Sequence, residues 1–175
     1  EVLNNNSKFW TPVELVEFTK LHQSALNKPS EKFHYSDTGY VLLGLILETI
    51  YKKQFHEILQ EQILIPCGME NSGLSFYSEN FNPKEFAPMI VNNVEVSNFR
   101  SLSCDWAGGG IFSTTEDLLL FLKMLASGKL ISDESIMQMR EFHYKYFSGI
   151  HYGLGLMQIH FNEFFFLLRG FPHLE

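Results

Sequence analysis

The most distinctive hydrophobic pattern in the chain covers residues 33–50, where a short polar segment is followed by a long apolar one. The polar part carries the hydroxyl groups and the carboxylate of Tyr35, Ser36, Asp37 and Thr38. The part that follows is apolar on nearly every side, which predicts a helix buried within a core. Because a buried helix is a rigid platform, the polar segment at its start predicts either a catalytic loop or a well-capped core helix.

Further helices are predicted on both sides of this segment. Thr11 and Glu14 form the pattern of a capping box, and the helix that they begin is predicted to end near His22. The other predicted helices are residues 55–63, residues 117–126 after a second capping box of Ser113 and Glu116, and a short helix from Ser132 to about Glu141. These segments predict a chain that is mostly helical.

The remaining segments predict irregular structure and a small amount of sheet. Residues 70–105 are rich in Asn, Ser, Gly and Pro. A segment of this length without periodicity more often packs around a functional face than extends into solvent. Within it, residues 89–96 predict a hairpin. Residues 152–161 and 163–168 predict two β-strands joined at Asn162, with large apolar residues on both faces.

Composition narrows the class of protein. Of the 175 residues, 45% are hydrophobic and 19% are charged, which predicts one globular domain with a sizeable core over residues 1–175. The formal net charge is -7 without a run of Lys or Arg, which argues against a nucleic-acid surface. No run approaches the ~18 apolar residues of a membrane span. Two cysteines do not make a disulfide framework, so Cys67 and Cys104 are predicted to be free thiols.

The common motifs for metals and nucleotide cofactors do not occur. His56 and Glu57 are followed by Ile58-Leu59-Gln60, so the metal-binding pattern H-E-x-x-H fails, and isolated histidines are more often surface or core residues. There is no P-loop, and Gly153-Leu154-Gly155 lacks the third glycine of a dinucleotide fingerprint. We therefore predict neither a metal site nor a cofactor.

Two other features are candidates for chemistry. The glycines at 108–110 precede a predicted helix, where N–H groups can face an anion or a carbonyl oxygen; the alternative is tight packing against a neighbouring strand. Tyr35 is the sharpest single candidate, although a phenol with a pKa near ~10 acts as a base at neutral pH only beside cations. Lys32 is its one neighbouring lysine in sequence, so a second cation would have to come from elsewhere. The alternative for Tyr35 is an aromatic ring that only packs.

Four segments resemble a known family. Residues 33–48 resemble the second motif of the class C β-lactamase-like serine hydrolases, which include β-lactamases, D-alanyl-D-alanine carboxypeptidases, D-aminopeptidases and esterases. The other three segments are Ile65-Pro66-Cys67-Gly68-Met69, in which Cys67 replaces Leu; Ala107-Gly108-Gly109 with Ser113-Thr114 and Asp117-Leu118; and Tyr152-Gly153-Leu154-Gly155-Leu156. Because the four occur in the family's order, the chain is identified as a member of it.

The resemblance implies an activity and a set of site residues. In the family, the serine of a Ser-x-x-Lys motif attacks a carbonyl and forms an acyl-enzyme, which water or another acceptor releases. Tyr35 takes the place of the tyrosine that acts as general acid and base beside that lysine. Ser36, Asp37, Gly108 and Gly109 take places that bind substrate. The resemblance thus implies cleavage of an amide or ester in a small-molecule or peptide substrate, a β-lactam included.

The sequence departs from the family pattern at its most reactive positions. No serine is followed three residues later by lysine, so we expect the nucleophile to precede Glu1 and the chain alone to be inactive. His151-Tyr152-Gly153 spells the third motif, His-x-Gly, but one hairpin too early, which places the real motif beyond Glu175. Asp37 replaces the more usual Asn; a carboxylate only accepts hydrogen bonds and would repel a substrate carboxylate, which disfavours a β-lactamase. Ser36-Asp37-Thr38 also resembles a class A motif, but Tyr35 and the later segments favour class C.

The family fold, an α/β sandwich that carries a helical lobe, gives the expected architecture. We predict a mostly helical α+β chain, with the helical lobe and tyrosine loop over residues 1–150 and the start of an antiparallel sheet, as a β-hairpin, over residues 151–170. The exposed edges of this hairpin predict a partner such as a second copy of the chain. Relatives of this kind are commonly exported in bacteria.

Two alternatives to an enzyme remain open. The first is a non-catalytic relative, a binding or sensor module that keeps the fold and lacks the serine. The second is an unrelated helical interaction domain, which requires that the four segments match by coincidence. A Ser-x-x-Lys motif upstream of Glu1 would support the enzyme, and its absence would support the binding module.

Overall fold

The computed structural model describes residues 2–29 and 31–164, and helices form most of its regular structure. The helices are α1 (Pro12–His22), α2 (Asp37–Tyr51), α3 (Phe55–Leu59), α4 (Ile65–Cys67), α5 (Trp106–Gly109), α6 (Thr115–Ala126), α7 (Asp133–Met139) and α8 (Phe161–Phe164). A π-helical turn (Gln60–Leu64) joins α3 to α4, and 3-10 helices cover Pro83–Glu85 and Arg100–Asp105.

Short strands in the described residues form three antiparallel sheets. The strands are β1 (Gly73–Leu74), β2 (Ile90–Val91), β3 (Val94–Glu95), β4 (Ile111–Phe112), β5 (Tyr144–Phe147), β6 (Ile150–Tyr152) and β7 (Met157–Ile159). Strand β1 pairs with β4, β2 pairs with β3, and the third sheet has the order β5-β6-β7. The pair β2–β3 confirms the predicted hairpin, which turns through Asn92 and Asn93 with φ values of 51° and 63°.

The chain divides into two compact units. Unit 1 comprises Glu1–Ser24 and Ser36–Lys123, and unit 2 comprises Ala25–Tyr35 and Met124–Glu175. The single domain over residues 1–175, with its division after residue 150, stays a prediction. None of the helices in the described ranges has both the length and the apolar character that crossing a bilayer requires.

Capping interactions decide where the helices begin. Thr11 and Glu14 form the predicted capping box of α1: the Glu14 N–H donates to Thr11 Oγ1 at 3.4 Å, and the Glu14 carboxylate accepts from the Thr11 N–H at 2.8 Å. At the start of α6 the capping residue is Thr114, one position after the predicted Ser113, and its Oγ1 accepts from the Asp117 N–H at 3.2 Å. The helices α1, α6 and α7 therefore lie close to their predicted positions.

Helix α2 is much less buried than its apolar sequence predicts. Its buried residues are Val41 and Gly44. Four other apolar side chains are between 46% and 67% exposed: Leu42, Leu43, Ile46 and Ile50. Gly44 lies against α5, since a Cβ there would come within 2.8 Å of Trp106 and Ala107. The prediction of a helix buried within the core is wrong, because the described neighbours cover one face of α2 and leave the other apolar faces exposed.

The helical run from Phe55 to Cys67 ends at the segment that resembles the family's Pro-Leu-Gly-Met. Gly68 adopts φ 72°, and the Met69 N–H donates back to the Leu64 carbonyl at 2.9 Å, which ends the helix. Cys67 is a free, buried thiol at the position of the family's Leu, and desolvation raises its pKa. Its role is that of a small apolar core residue.

The predicted strands near the C-terminus differ from the structure. Residues 152–161 do not form one strand, because a turn after Tyr152 contains Gly155 at φ 76° and returns the chain as β7. Residues 163 and 164 belong to α8, and residues 165–168 of the second predicted strand lie outside the described residues. Strand β5, which was not predicted, forms one edge of this sheet with exposed side chains. A homo-oligomer through such an edge stays a prediction.

Candidate active site

Ser36 and Asp37 of the polar segment form the start of α2 in unit 1. Ser36 has an extended backbone, and its Oγ accepts from the Gly39 N–H at 3.2 Å, so it caps the helix. Asp37 is the first helical residue, where the helix dipole favours a negative charge. Both side chains are exposed. Capping thus explains Ser36 structurally, and its role in substrate binding stays a prediction, as does that of Asp37.

Gly108 and Gly109, which are predicted to bind substrate, belong to the same unit as this helix start. A Cβ at Gly108 would meet the carbonyl oxygen and the Cβ of Asp37 at 3.7 and 3.8 Å, so the structure brings these residues together. Gly109 faces open space. The glycines end α5, with the Gly110 N–H donating to the Trp106 carbonyl at 2.9 Å, and β4 separates them from α6. Their predicted position directly before a helix N-terminus is therefore wrong.

A second carboxylate, which the sequence analysis missed, lies in the same part of unit 1. The pKa of Asp105 is raised above its ordinary value, mainly by partial desolvation. The hydrogen bond from Cys104 opposes this effect, and the charge of Asp37 adds to it. Desolvation and the neighbouring Asp105 also raise the pKa of Cys104 to about 11. A thiol with this pKa stays protonated at neutral pH and is a poor nucleophile. The start of α2 therefore has an acidic environment.

A cleft of about 610 Å³ opens next to these residues in unit 1. Asp105 and Gly109 lie on its wall, together with Glu70 and Glu85. Four aromatic rings line it, with neighbouring centroids 4.7 to 5.7 Å apart: Phe76, Phe81, Phe86 and Phe112. Most of the wall comes from the irregular segment 70–105. A cleft of this size, with apolar walls and a few charged groups, suits a small ligand.

Tyr35 belongs to unit 2 and directly precedes Ser36 in the chain. Its ring packs edge-on against Tyr146 and Tyr152, with centroids 5.8 and 5.6 Å apart. It lines a cavity of about 290 Å³ together with Phe33, His34, Lys145 and Tyr146. Strand β5 thus places Lys145 at the cavity of Tyr35. This lysine is distant from Tyr35 in the sequence, so the sequence pattern around Tyr35 does not predict it.

The ammonium group of Lys145 is held by an ion pair. It donates to Oε2 of Glu163, and His151 Nε2 lies 2.8 Å from Oε1 of the same carboxylate. Hydrogen bonds from Lys145 and His151 lower the pKa of Glu163 to about 2. Within the His151-Tyr152-Gly153 segment, His151 and Tyr152 therefore belong to strand β6, and His151 also takes part in a polar cluster of unit 2.

Comparison with known proteins shows the family of this chain. The beta-lactamase family, described as "Beta-lactamase", matches residues 5–157. The chain belongs to the beta-lactamase family.

Relatives in the beta-lactamase family come from several kingdoms. The mitochondrial serine beta-lactamase-like protein LACTB of Mus musculus is 33% identical over 122 residues, which are 65% of this chain and 21% of that protein. Beta-lactamase-like protein 4 of Dictyostelium discoideum is 34% identical over 106 residues, which are 55% of this chain and 18% of that protein. The bacterial origin that the sequence resemblance implied therefore does not follow from membership of the family.

A solved structure shows the same fold. The D-amino acid amidase from Ochrobactrum anthropi SV3, complexed with L-phenylalanine, is similar with a TM-score of 0.80 and 26% sequence identity. The likeness covers 88% of this chain and 46% of the amidase. It confirms the predicted fold class, a mostly helical α+β part of the β-lactamase/transpeptidase-like fold. The chain spans about half the length of this amidase and about a fifth of the two curated relatives.

The family block of Ser113 and Asp117 has a structural role in this chain. Asp117 is 3% exposed, and its Oδ2 accepts from the Asn71 N–H at 2.8 Å and from Ser72 Oγ at 2.7 Å. The hydroxyl groups of Ser72 and Ser113 lie 2.7 Å apart. This buried network fixes the start of α6 to the chain just before β1.

Proposed function

We propose that this chain supplies the tyrosine side of the active site of a serine hydrolase, which cleaves an amide or ester through an acyl-enzyme. The observation that carries the proposal is the position of Tyr35. It directly precedes the capping residue of α2, as in the family motif, and it lines a cavity with Lys145.

In the proposed mechanism Tyr35 carries the proton. The serine hydroxyl of a Ser-x-x-Lys motif attacks the substrate carbonyl carbon, and its proton passes to the Tyr35 oxygen. Tyr35 then gives this proton to the leaving amine or alcohol, which departs and leaves the acyl-enzyme. Water attacks the ester in the second half, with the same group as base and then acid. The lysine of the motif favours the phenolate, because a nearby positive charge stabilises the ionised form. Lys145 lines the same cavity, with its ammonium group paired to Glu163.

The charges in unit 1 support a substrate without a carboxylate near the start of α2. Asp37, Asp105 and two glutamates of the cleft, Glu70 and Glu85, would repel a negative group and attract an ammonium group. The phenylalanine rings of the cleft suit an apolar substituent. We therefore favour a neutral or cationic amide or ester over a β-lactam that carries a carboxylate.

A non-catalytic binding module is the second candidate. It is favoured by one observation, that no serine among the 175 residues is followed three residues later by lysine. Such a module would keep the fold and the cleft of unit 1 and bind a ligand without forming a covalent bond.

Covalent labelling distinguishes the two candidates. A fluorescent fluorophosphonate or penicillin should label nothing in the 175-residue chain. It should label a longer protein that joins these residues to a Ser-x-x-Lys segment, and a Ser→Ala change in that segment should remove the label. Labelling of the 175-residue chain would contradict the assignment of the nucleophile. An unlabelled longer protein that still binds small amides would support the binding module.

A further inference from the structure

Three potential metal ligands meet in unit 2. His151 Nε2 lies 2.8 Å from Glu163 Oε1, and His160 Nδ1 lies 3.2 Å from the same oxygen. The two imidazole rings are stacked with centroids 4.2 Å apart. The three ligand atoms all lie within 4.8 Å of one another, and the side chains are partly buried. No other group of three such ligands occurs in the part of the chain that the structure describes.

The sheet orients this cluster. His151 on β6 lies opposite Lys145 on β5 and opposite Gln158 on β7, so the three side chains project from one face of the sheet. Glu163 of α8 reaches this face, where its Oε2 accepts from Lys145 and from the Gly149 N–H at 3.3 Å. These two donors hold the carboxylate so that Oε1 is the oxygen that faces the imidazoles.

The hydrogen bond of His160 to the sheet selects the nitrogen that faces the cluster. His160 Nε2 lies 2.6 Å from the side-chain oxygen of Gln158, and His160 Nδ1 lies 3.2 Å from Glu163 Oε1. The ring therefore turns Nε2 towards the sheet and Nδ1 towards the carboxylate. An imidazole that donates from one nitrogen to an oxygen is the usual state of a metal-bound histidine.

We propose that His151, His160 and Glu163 bind a divalent transition-metal ion of the zinc class. Imidazole nitrogens and a carboxylate oxygen are common ligands of Zn²⁺, at about 2.0–2.2 Å. Ligand atoms of a tetrahedral site lie roughly 3.4 Å apart. The distance of 3.2 Å from His160 Nδ1 to Glu163 Oε1 is near this value, and the distance of 2.8 Å from His151 Nε2 to the same oxygen is shorter. Three protein ligands leave the fourth position to water or to a ligand.

Sequence motifs could not reveal this cluster. The spacing of its residues matches none of the common zinc patterns, in which ligands stand close together on one helix or in paired turns. His151 lies on β6, His160 directly follows β7, and Glu163 depends on α8, where the sequence predicts a strand.

Titration of the metal-free chain with Co²⁺, followed by Zn²⁺, tests the proposal. One equivalent of Co²⁺ should give the intense visible absorption of a four-coordinate ion, and one equivalent of Zn²⁺ should abolish it. His151→Ala and His160→Ala should each weaken Co²⁺ binding by at least about tenfold, since each removes a ligand. His143→Ala is the matched control, because it removes a 72% exposed histidine of the same unit that lies outside the cluster. It should leave the titration unchanged.

A second measurement keeps the test decisive if an alanine variant fails to fold. In the unchanged chain, Zn²⁺ should shift the ¹⁵N signals of His151 Nε2 and His160 Nδ1, and the signals of His143 should stay in place. Glu163→Gln keeps the shape of the side chain and should still weaken Co²⁺ binding. The proposal is overturned if the unchanged chain shows no saturable one-to-one binding, or if binding survives the loss of both histidines. Either result would leave the cluster as a hydrogen-bonded network only.

Discussion

Replacement of Tyr35 by Phe should slow acylation by about 10²–10⁴-fold in a longer protein that joins these residues to a Ser-x-x-Lys segment. The substitution removes the oxygen that carries the proton and keeps the ring that packs against Tyr146 and Tyr152. The rate of covalent labelling by a fluorophosphonate under single-turnover conditions measures the effect. Acylation is the step to follow because the proposed proton transfer from serine occurs in it.

Tyr51→Phe is the matched control for this experiment. Tyr51 is the last residue of α2 and is 43% exposed, so the loss of its hydroxyl should leave the labelling rate unchanged. Equal rates for Tyr35→Phe and the unchanged protein would remove Tyr35 from the mechanism and support the interpretation of an aromatic that only packs.

Replacement of Asp117 by Ala should lower the free energy of unfolding by about 3 kcal/mol, because it leaves buried donors without their charged acceptor. The donors are the Asn71 N–H and the Ser72 hydroxyl, which lie 2.8 and 2.7 Å from Asp117 Oδ2. Urea unfolding of the chain at neutral pH, followed by circular dichroism, measures the change. The loss concerns stability alone, since Asp117 is assigned no part in the chemistry.

The neighbouring residue provides the control for Asp117. Glu116 lies in the same first turn of α6, and its side chain is exposed. Glu116→Ala should change the free energy of unfolding by no more than about 0.5 kcal/mol, as is usual for exposed positions. Similar effects of the two substitutions would show that the buried network contributes little and that the acidic first turn matters by itself.

The sequence predicts the local parts of this fold well. The starts of α1 and α7 and the end of α6 depend on residues within one turn of each other, so capping residues such as Thr11 and Ser132 identify them directly. The hairpin β2–β3 is equally local, because two adjacent asparagines accept the positive φ of its turn. The resemblance of four segments to the family extended these local predictions to the fold class.

Burial could not be predicted from the apolar pattern alone. Leu43 and Ile50 of α2 have the composition of a core helix, yet they are exposed. Apolar composition shows which faces of a helix would be stabilised by burial. It does not show which of those faces are covered by neighbouring elements. Gly44 shows the opposite case, since a residue without a side chain marks the face where α2 meets Trp106.

The parts of the candidate site that the sequence missed are non-local. Lys145 reaches the cavity of Tyr35 through β5, and the irregular segment before α5 places Asp105 near Asp37. Neither contact follows from spacing, because each joins residues from distant parts of the chain. The motif positions of Tyr35 and Ser36, in contrast, were available from the sequence, and their chemical roles await the experiments proposed above.

Peptide mapping of an acylated longer protein tests the central claim most directly. The protein would join these 175 residues to a Ser-x-x-Lys segment, react with a fluorophosphonate, and be digested and analysed by mass spectrometry. We expect the adduct on the serine of that segment and none on a serine of residues 1–175, Ser36 included, because Ser36 caps α2 and Tyr35 serves as acid and base. An adduct on Ser36 or on another serine of the 175 residues would contradict the account.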